Sequence, residues 1–168
     1  MSLTMYDVSI PAFVRGFANL THLIDKGAAF ARDNKIDPAE LTQARLAPDM
    51  RPFTAQIHLA SDNAKGCAAR LAGVKIPGFP DTETTFDELK TRIDKTVAFI
   101  TGLDRAAIDA SDGKTVIFKT RNRAIEFEAR HYLLTFALPN FYFHLTTAYA
   151  ILRHKGVPLA KPDYLGKE

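Results

Sequence analysis

Between Ser9 and Asp33, the apolar residues Ile10, Phe13, Val14, Phe17, Leu20 and Ile24 recur three and four positions apart, which is the period of a helix with one buried face. Pro11 falls in the first turn, where a missing N–H costs little. Asp37-Pro38 has the form of a cap and first residue of a short extra turn. A second helix is expected from a cap at Asp49, with Pro52 in its first turn. Its inward stripe would be Phe53, Gln56, Ile57, Ala60, Ala64, Cys67 and Leu71, and Gly73 would supply the stop. The segment VKIPGFPDTE, with two prolines and a glycine, cannot be helix. Thr85-Phe-Asp-Glu88 then matches a capping box, opening a third helix that buries Phe86, Leu89, Ile93, Val97, Ile100 and Leu103.

The period changes in TVIFKTRNRAIEFE, residues 115–128. Val116 and Phe118 alternate with polar neighbours, and Ile125 and Phe127 do so again beyond the polar RNR, which predicts a small β-hairpin. A last helix is expected from about Arg130 to His154, with Gly156 just past its end. The pattern as a whole predicts an all-α, four-helix bundle with a hairpin between the third and fourth helices.

Composition narrows the function classes. The chain has 168 residues, 46% of them hydrophobic, which is the size of one domain with a substantial core. Lys plus Arg number 22 against 19 acidic residues, and no run of like charge occurs, so the footprint of a nucleic-acid binder is missing. The single cysteine, Cys67, excludes an internal disulfide and suits a reducing compartment. Neither a secretion signal nor a membrane span is legible. The expectation is a single cytoplasmic domain, covering residues 1–168, with no nucleic-acid or membrane partner.

The candidate chemistry lies in PNFYFHLTTAYAILRHKG. Asn140 and His144 stand one turn apart on a face otherwise formed by Leu133, Ala137, Ala148 and Ile151. A buried amide or imidazole without a partner costs about 1–3 kcal/mol, so something must satisfy them. Pro139 removes a backbone bond beside them and predicts a kink. Either the two are a satisfied core pair or they line a pocket. On the second helix, Gln56 and Asn63 lie one heptad apart on the inward side. His58, spaced four residues from Asp62, reads there as a surface residue or as a second possible ligand. His22 is expected to be exposed, His131 sits near a helix start, and His154 complements a helix dipole in the last turn. Cys67 reads as a small core residue, and Tyr142 and Tyr149 as packing. Gly-rich phosphate loops, nucleophile elbows, CxxC pairs and HExxH are absent.

Three stretches, MYDVSIPAFVRGFANL, LAPDMRPFTAQIHLASDNAKG and FALPNFYFHLTTAYAILRHKGV, resemble the DinB/YfiT-like superfamily of four-helix candidate metalloenzymes. More narrowly, they resemble a branch of it known as a domain of unknown function. In that superfamily a histidine on helix two and an H-x3-H pair on helix four hold a divalent metal such as nickel or zinc. The later histidine of the pair is followed nine residues on by the Arg of an LR pair. His144 stands nine residues before Arg153, so the resemblance implies that it is the second histidine, with Asn140 at the first position and Gln56 or His58 on helix two. Amide oxygens are poor ligands for nickel and zinc. The implied site (His144, Asn140, Gln56, His58) is therefore a degenerate triad that holds its metal weakly or has lost it. The resemblance implies one of two functions: a metal- or thiol-dependent small-molecule enzyme, or a metal-free bundle that binds a small ligand or is merely structural. It also implies a homodimer.

Overall fold

A computed structural model describes residues 3–120 and 122–166. Four long helices form the body: α1 (Ile10–Asp33), α3 (Phe53–Ala72), α4 (Phe86–Thr101) and α7 (Leu138–His154). The intervening elements are α2 (Pro38–Thr42), α5 (Arg105–Asp109), strands β1 (Thr115–Lys119) and β2 (Ala124–Glu128), and α6 (Ala129–Tyr132). A π-helical turn spans Leu133–Ala137, and α8 (Lys161–Leu165) follows α7. The long helices pack as a ring, in which α1 touches α4 and α7, and α3 touches α4 and α7. The four-helix bundle with an inserted hairpin read from the sequence is the architecture present.

The core follows the hydrophobic stripes. Phe13, Phe17, Leu20 and Ile24 of α1 are fully buried, as are Phe53, Ile57, Ala60 and Ala64 of α3. Phe141 packs edge-on against Phe13 and Phe17, at ring-centroid distances of 5.0 and 5.1 Å. The close approach of α1 and α7 there depends on Gly16, because a Cβ at that position would stand 2.4 Å from Phe141 Cε1.

The predicted signals at the helix ends are present except at one helix. Asp37 accepts the Ala39 N–H at 2.9 Å and starts α2. Gly73 closes α3 at φ 68°, a left-handed conformation that glycine adopts without a Cβ penalty. Thr85 and Glu88 form the reciprocal capping box of α4, and the hydrogen bonds Glu88 accepts there lower its pKa to about 2. Asp49 is not the cap of α3. The helix begins after Pro52 with no side-chain cap, and the Phe53 N–H donates to the Ala44 carbonyl at 3.0 Å.

Two further expectations are corrected. Val97 of α4, and Leu103 beyond its end, are only partly buried, whereas Arg92 and Thr96 are inside. The last helix is continuous but not uniformly α. At Leu133–Ala137 it widens by one residue per turn, with the Leu138 N–H bonding the Leu133 carbonyl five residues back. Pro139 stands one residue beyond this turn, where the backbone remains helical.

The hairpin pairs Val116 with Phe127 and Phe118 with Ile125, as its alternation implies. It closes through the Thr120 N–H bonding the Arg123 carbonyl at 2.8 Å; Arg121, in the predicted turn, lies outside the described residues. Phe118, Phe127, Tyr132 and Phe136 form one aromatic cluster beneath it. Arg70 of α3 lies over the Phe118 ring at 4.9 Å and donates to the Tyr132 hydroxyl at 3.2 Å. Among the described residues, no helix is long and apolar enough to cross a membrane.

Candidate functional site

The helical spacing that places Asn140 and His144 on one face of α7 turns that face towards α3. There His144 meets Gln56: Nδ1 of the imidazole and Oε1 of the amide are 2.9 Å apart. The Gln56 amide is itself oriented, because its Nε2 donates to the Arg51 carbonyl at 3.0 Å in the irregular segment before α3. With the NH2 group so used, Oε1 must face His144 and can only accept. His144 therefore carries its proton on Nδ1 and leaves the Nε2 lone pair free. Burial alone holds the His144 pKa below 6.5, with no charged neighbour contributing, so the ring is neutral at pH 7. Asn140 is half-buried one turn earlier.

His58 is not part of this group, and it is not at the surface. It is 8% exposed and points from the other side of α3 into a knot of charged side chains. Its Nε2 lies 3.2 Å from Glu83 Oε2 but is not aligned for a hydrogen bond. At the centre of the knot is Arg92 of α4, which has no exposed side-chain surface. Arg92 Nη2 pairs with Asp62 and Asp81, each at 2.9 Å, and Nη1 reaches Glu83 at 3.1 Å and the Pro80 carbonyl at 2.9 Å. Lys65 binds Asp62 and lies 5.1 Å from the centre of the Phe79 ring. The knot pins the proline-containing loop between α3 and α4 to both helices. Burial first, and Arg92 second, push the His58 pKa below 6.5. Nothing in the sequence pattern marked Arg92, since an arginine amid a helical stripe reads as a residue at its polar edge.

The other histidines take no part. His22 is half-exposed and meets Asp163 of α8 at 2.9 Å. Cys67 is fully buried, and burial pushes its thiol up to about 12, which leaves it inert at neutral pH.

Residues 5–165 match the family described as a domain of unknown function, DUF1993. The chain belongs to that family. A crystal structure of a DinB family member protein from Shewanella denitrificans is similar over 97% of this DUF1993 chain and 92% of that one, with 36% identity and a TM-score of 0.89. No curated protein matches. The fold is thus DinB-like.

A divalent metal, as the resemblance implies, does not fit the donor set found here. Gln56 Oε1 is engaged by the His144 Nδ1–H, which makes it an orienting partner of the imidazole and not a ligand beside it. His58 faces Glu83 across the helix. That leaves His144 Nε2 and an Asn140 amide, one strong donor where zinc and nickel sites hold three or four. Among the described residues, no group of three or more His, Cys, Asp or Glu side chains could hold a metal ion.

Proposed function

We propose that the chain binds a small molecule at His144, and that the neutral imidazole is the reactive group there without a divalent metal. The observation that carries this reading is the Gln56–His144 hydrogen bond, anchored through Gln56 to the Arg51 carbonyl. It holds the ring in one tautomer and one orientation, which is what a base or hydrogen-bond acceptor at Nε2 requires. An amide partner leaves the ring less basic than a carboxylate partner would, and burial acts in the same direction. Nε2 can take a proton from a bound thiol, hydroxyl or water, and Gln56 then stabilises the Nδ1–H of the resulting imidazolium. The alternative, a metal-dependent enzyme of the DinB type, draws support from family likeness, and the single strong ligand weighs against it.

The test uses chain without a polyhistidine tag. Calorimetric titration with nickel and with zinc should show no saturation at micromolar metal. Nitrogen NMR of the His144 ring should show the Nδ1–H tautomer, and Gln56→Leu should lose that preference. Sub-micromolar metal binding that disappears in His144→Ala would overturn the reading.

A further inference from the structure

The orientation of the Gln56–His144 pair depends on one backbone carbonyl, that of Arg51, and the chain around it is held from both sides. The segment between α2 and α3 is closed at its base by the Phe53 N–H on the Ala44 carbonyl, at 3.0 Å. On the α2 side it follows Leu41, which is fully buried. Within it, the Met50 N–H bonds the Ala47 carbonyl at 3.0 Å. One side chain crosses this turn: Arg45 Nη1 donates to the Met50 carbonyl at 2.7 Å.

The Met50 carbonyl and the Arg51 N–H belong to one peptide plane, so Arg45 pins that plane by its oxygen. After Arg51 comes Pro52, at φ -68° and ψ 171°. A proline confines the residue before it to extended backbone. Arg51 thus lies between a pinned peptide and a proline, and the two together aim its carbonyl. The Gln56 backbone N–H bonds the next carbonyl, that of Pro52, at 3.2 Å, which leaves the Arg51 oxygen to the Gln56 side chain.

The aim of that oxygen decides the chemistry at His144. A primary amide has one accepting end and one donating end of nearly the same shape. While Nε2 of Gln56 is drawn to the Arg51 carbonyl, Oε1 faces His144 and the ring carries its proton on Nδ1. With the amide turned over, its NH2 would face Nδ1. The ring would then accept there, carry its proton on Nε2 and lose the free lone pair. No charged neighbour sets the state of the ring, so the amide selects between the two tautomers.

We infer that Arg45 is a positioning residue for the His144 site. By holding the Met50 carbonyl it keeps the Arg51 carbonyl aimed at Gln56, and so keeps Nε2 of His144 in its accepting form. Arg45 acts through the Met50–Arg51 peptide and the Gln56 amide, not at the ring itself. The segment before α3 thereby sets whether the site takes a proton or gives one. This inference rests on the reading of His144 as a base or acceptor at Nε2.

Nitrogen NMR of the His144 ring in the whole chain, at about pH 8 where the ring is neutral, reads the tautomer directly. The natural chain should show Nδ1–H in excess. Arg45 is exposed, so substitution there leaves the core intact. Arg45→Met keeps the apolar stem, removes the donor, and should lower the excess by about two- to tenfold, the range of one net hydrogen bond. Arg45→Lys should recover part of it, because an ammonium also donates to a carbonyl. A merely structural role would lower the urea midpoint and leave the tautomer of the folded chain as it was. An Nδ1–H excess unaltered by Arg45→Met therefore overturns the inference, and leaves the reading of His144 standing. A natural chain with its proton on Nε2 overturns both.

Discussion

Helix α3 has a buried polar group on each of two sides, and the two groups differ in kind. Towards α4, Arg92 and Lys65 face Asp62, Asp81 and Glu83, with His58 at the edge. Towards α7, Gln56, Asn63, Asn140 and His144 are all neutral. In the first, each charge already has an opposite charge, and the result is a tie between two helices and a loop. In the second no such pairing of charges is made; buried atoms without a hydrogen-bond partner occur on both sides, Arg92 Nε and His58 Nε2 in the first and Asn63 Oδ1 in the second. The comparison separates two uses of buried polarity. Mutually compensated ions hold parts of the chain together, whereas the neutral pair fixes the orientation of one imidazole.

The largest expected effect comes from breaking the charged side. Arg92→Ala would leave Asp62, Asp81 and Glu83 facing one another without their central cation. Removing one partner of a buried ion pair costs about 3–5 kcal/mol. Because Asp81 and Asp62 retain 57% and 43% exposure, water can take over part of that role. The lower end, about 3 kcal/mol, is therefore expected from urea denaturation. The His144 ring signals should stay in place. A loss below about 0.5 kcal/mol, the range of ordinary surface substitutions, would show that the knot is not a tie.

The neutral side can be turned into a metal site. Asn140→His adds a second imidazole one turn before His144, and two histidines four residues apart on a helix can share a divalent ion. Zinc or nickel affinity should rise by about tenfold or more, equivalent to about 1.4 kcal/mol or more. Adding His144→Ala should abolish the gain. Binding should weaken below about pH 6, since both rings must be neutral to coordinate. A folded Asn140→His variant that binds no better than the natural chain, by calorimetry, would place the two residues outside a common site.

Much of this arrangement was legible in the residues, for physical reasons that also mark where legibility stopped. Helices α1, α3, α4 and α7 declare themselves because each buries one face, and β1 and β2 because their period falls to two. The Asn140–His144 pair is local, so spacing alone shows it. The choice between Gln56 and His58 is not local. The two lie on different sides of α3, and only the packing of α7 and α4 against those sides assigns one to each. The role of Gln56 is less local still, since it depends on the Arg51 carbonyl that the irregular start of α3 leaves free. Asp49 looked like a cap because its side chain could be one, but the helix starts three residues later, with Pro52 at the cap position. The π-helical turn has no residue signature of its own beyond the proline that follows it.

The smallest expected effect concerns pH, and it contrasts the two histidines directly. Both have folded-state pKa values below 6.5, His144 through burial alone and His58 through burial and then Arg92. Above pH 6.5 each is neutral whether the chain is folded or not, so their contribution to stability is constant. As pH falls below 6.5, the unfolded chain takes up protons before the folded one does, and stability falls towards the folded pKa values. The carboxylate of Glu88, held near 2 against an ordinary 4.5, adds its own loss only at lower pH, so the window just below 6.5 isolates the histidines. Urea midpoints across that window should decline in the natural chain and less steeply in His58→Gln or His144→Gln. Arg92→Ala adds the sharper contrast, provided about 3 kcal/mol leaves enough of a typical 5–15 kcal/mol for the variant to fold. NMR titration should then show the His58 pKa moving up, because one of its two depressing causes is gone while Asp81, Glu83 and Asp62 still act to raise it. The His144 pKa should not move. If both histidines shift together when Arg92 is removed, the neutral side senses the charged knot, and the division of α3 into two independent polar faces is wrong.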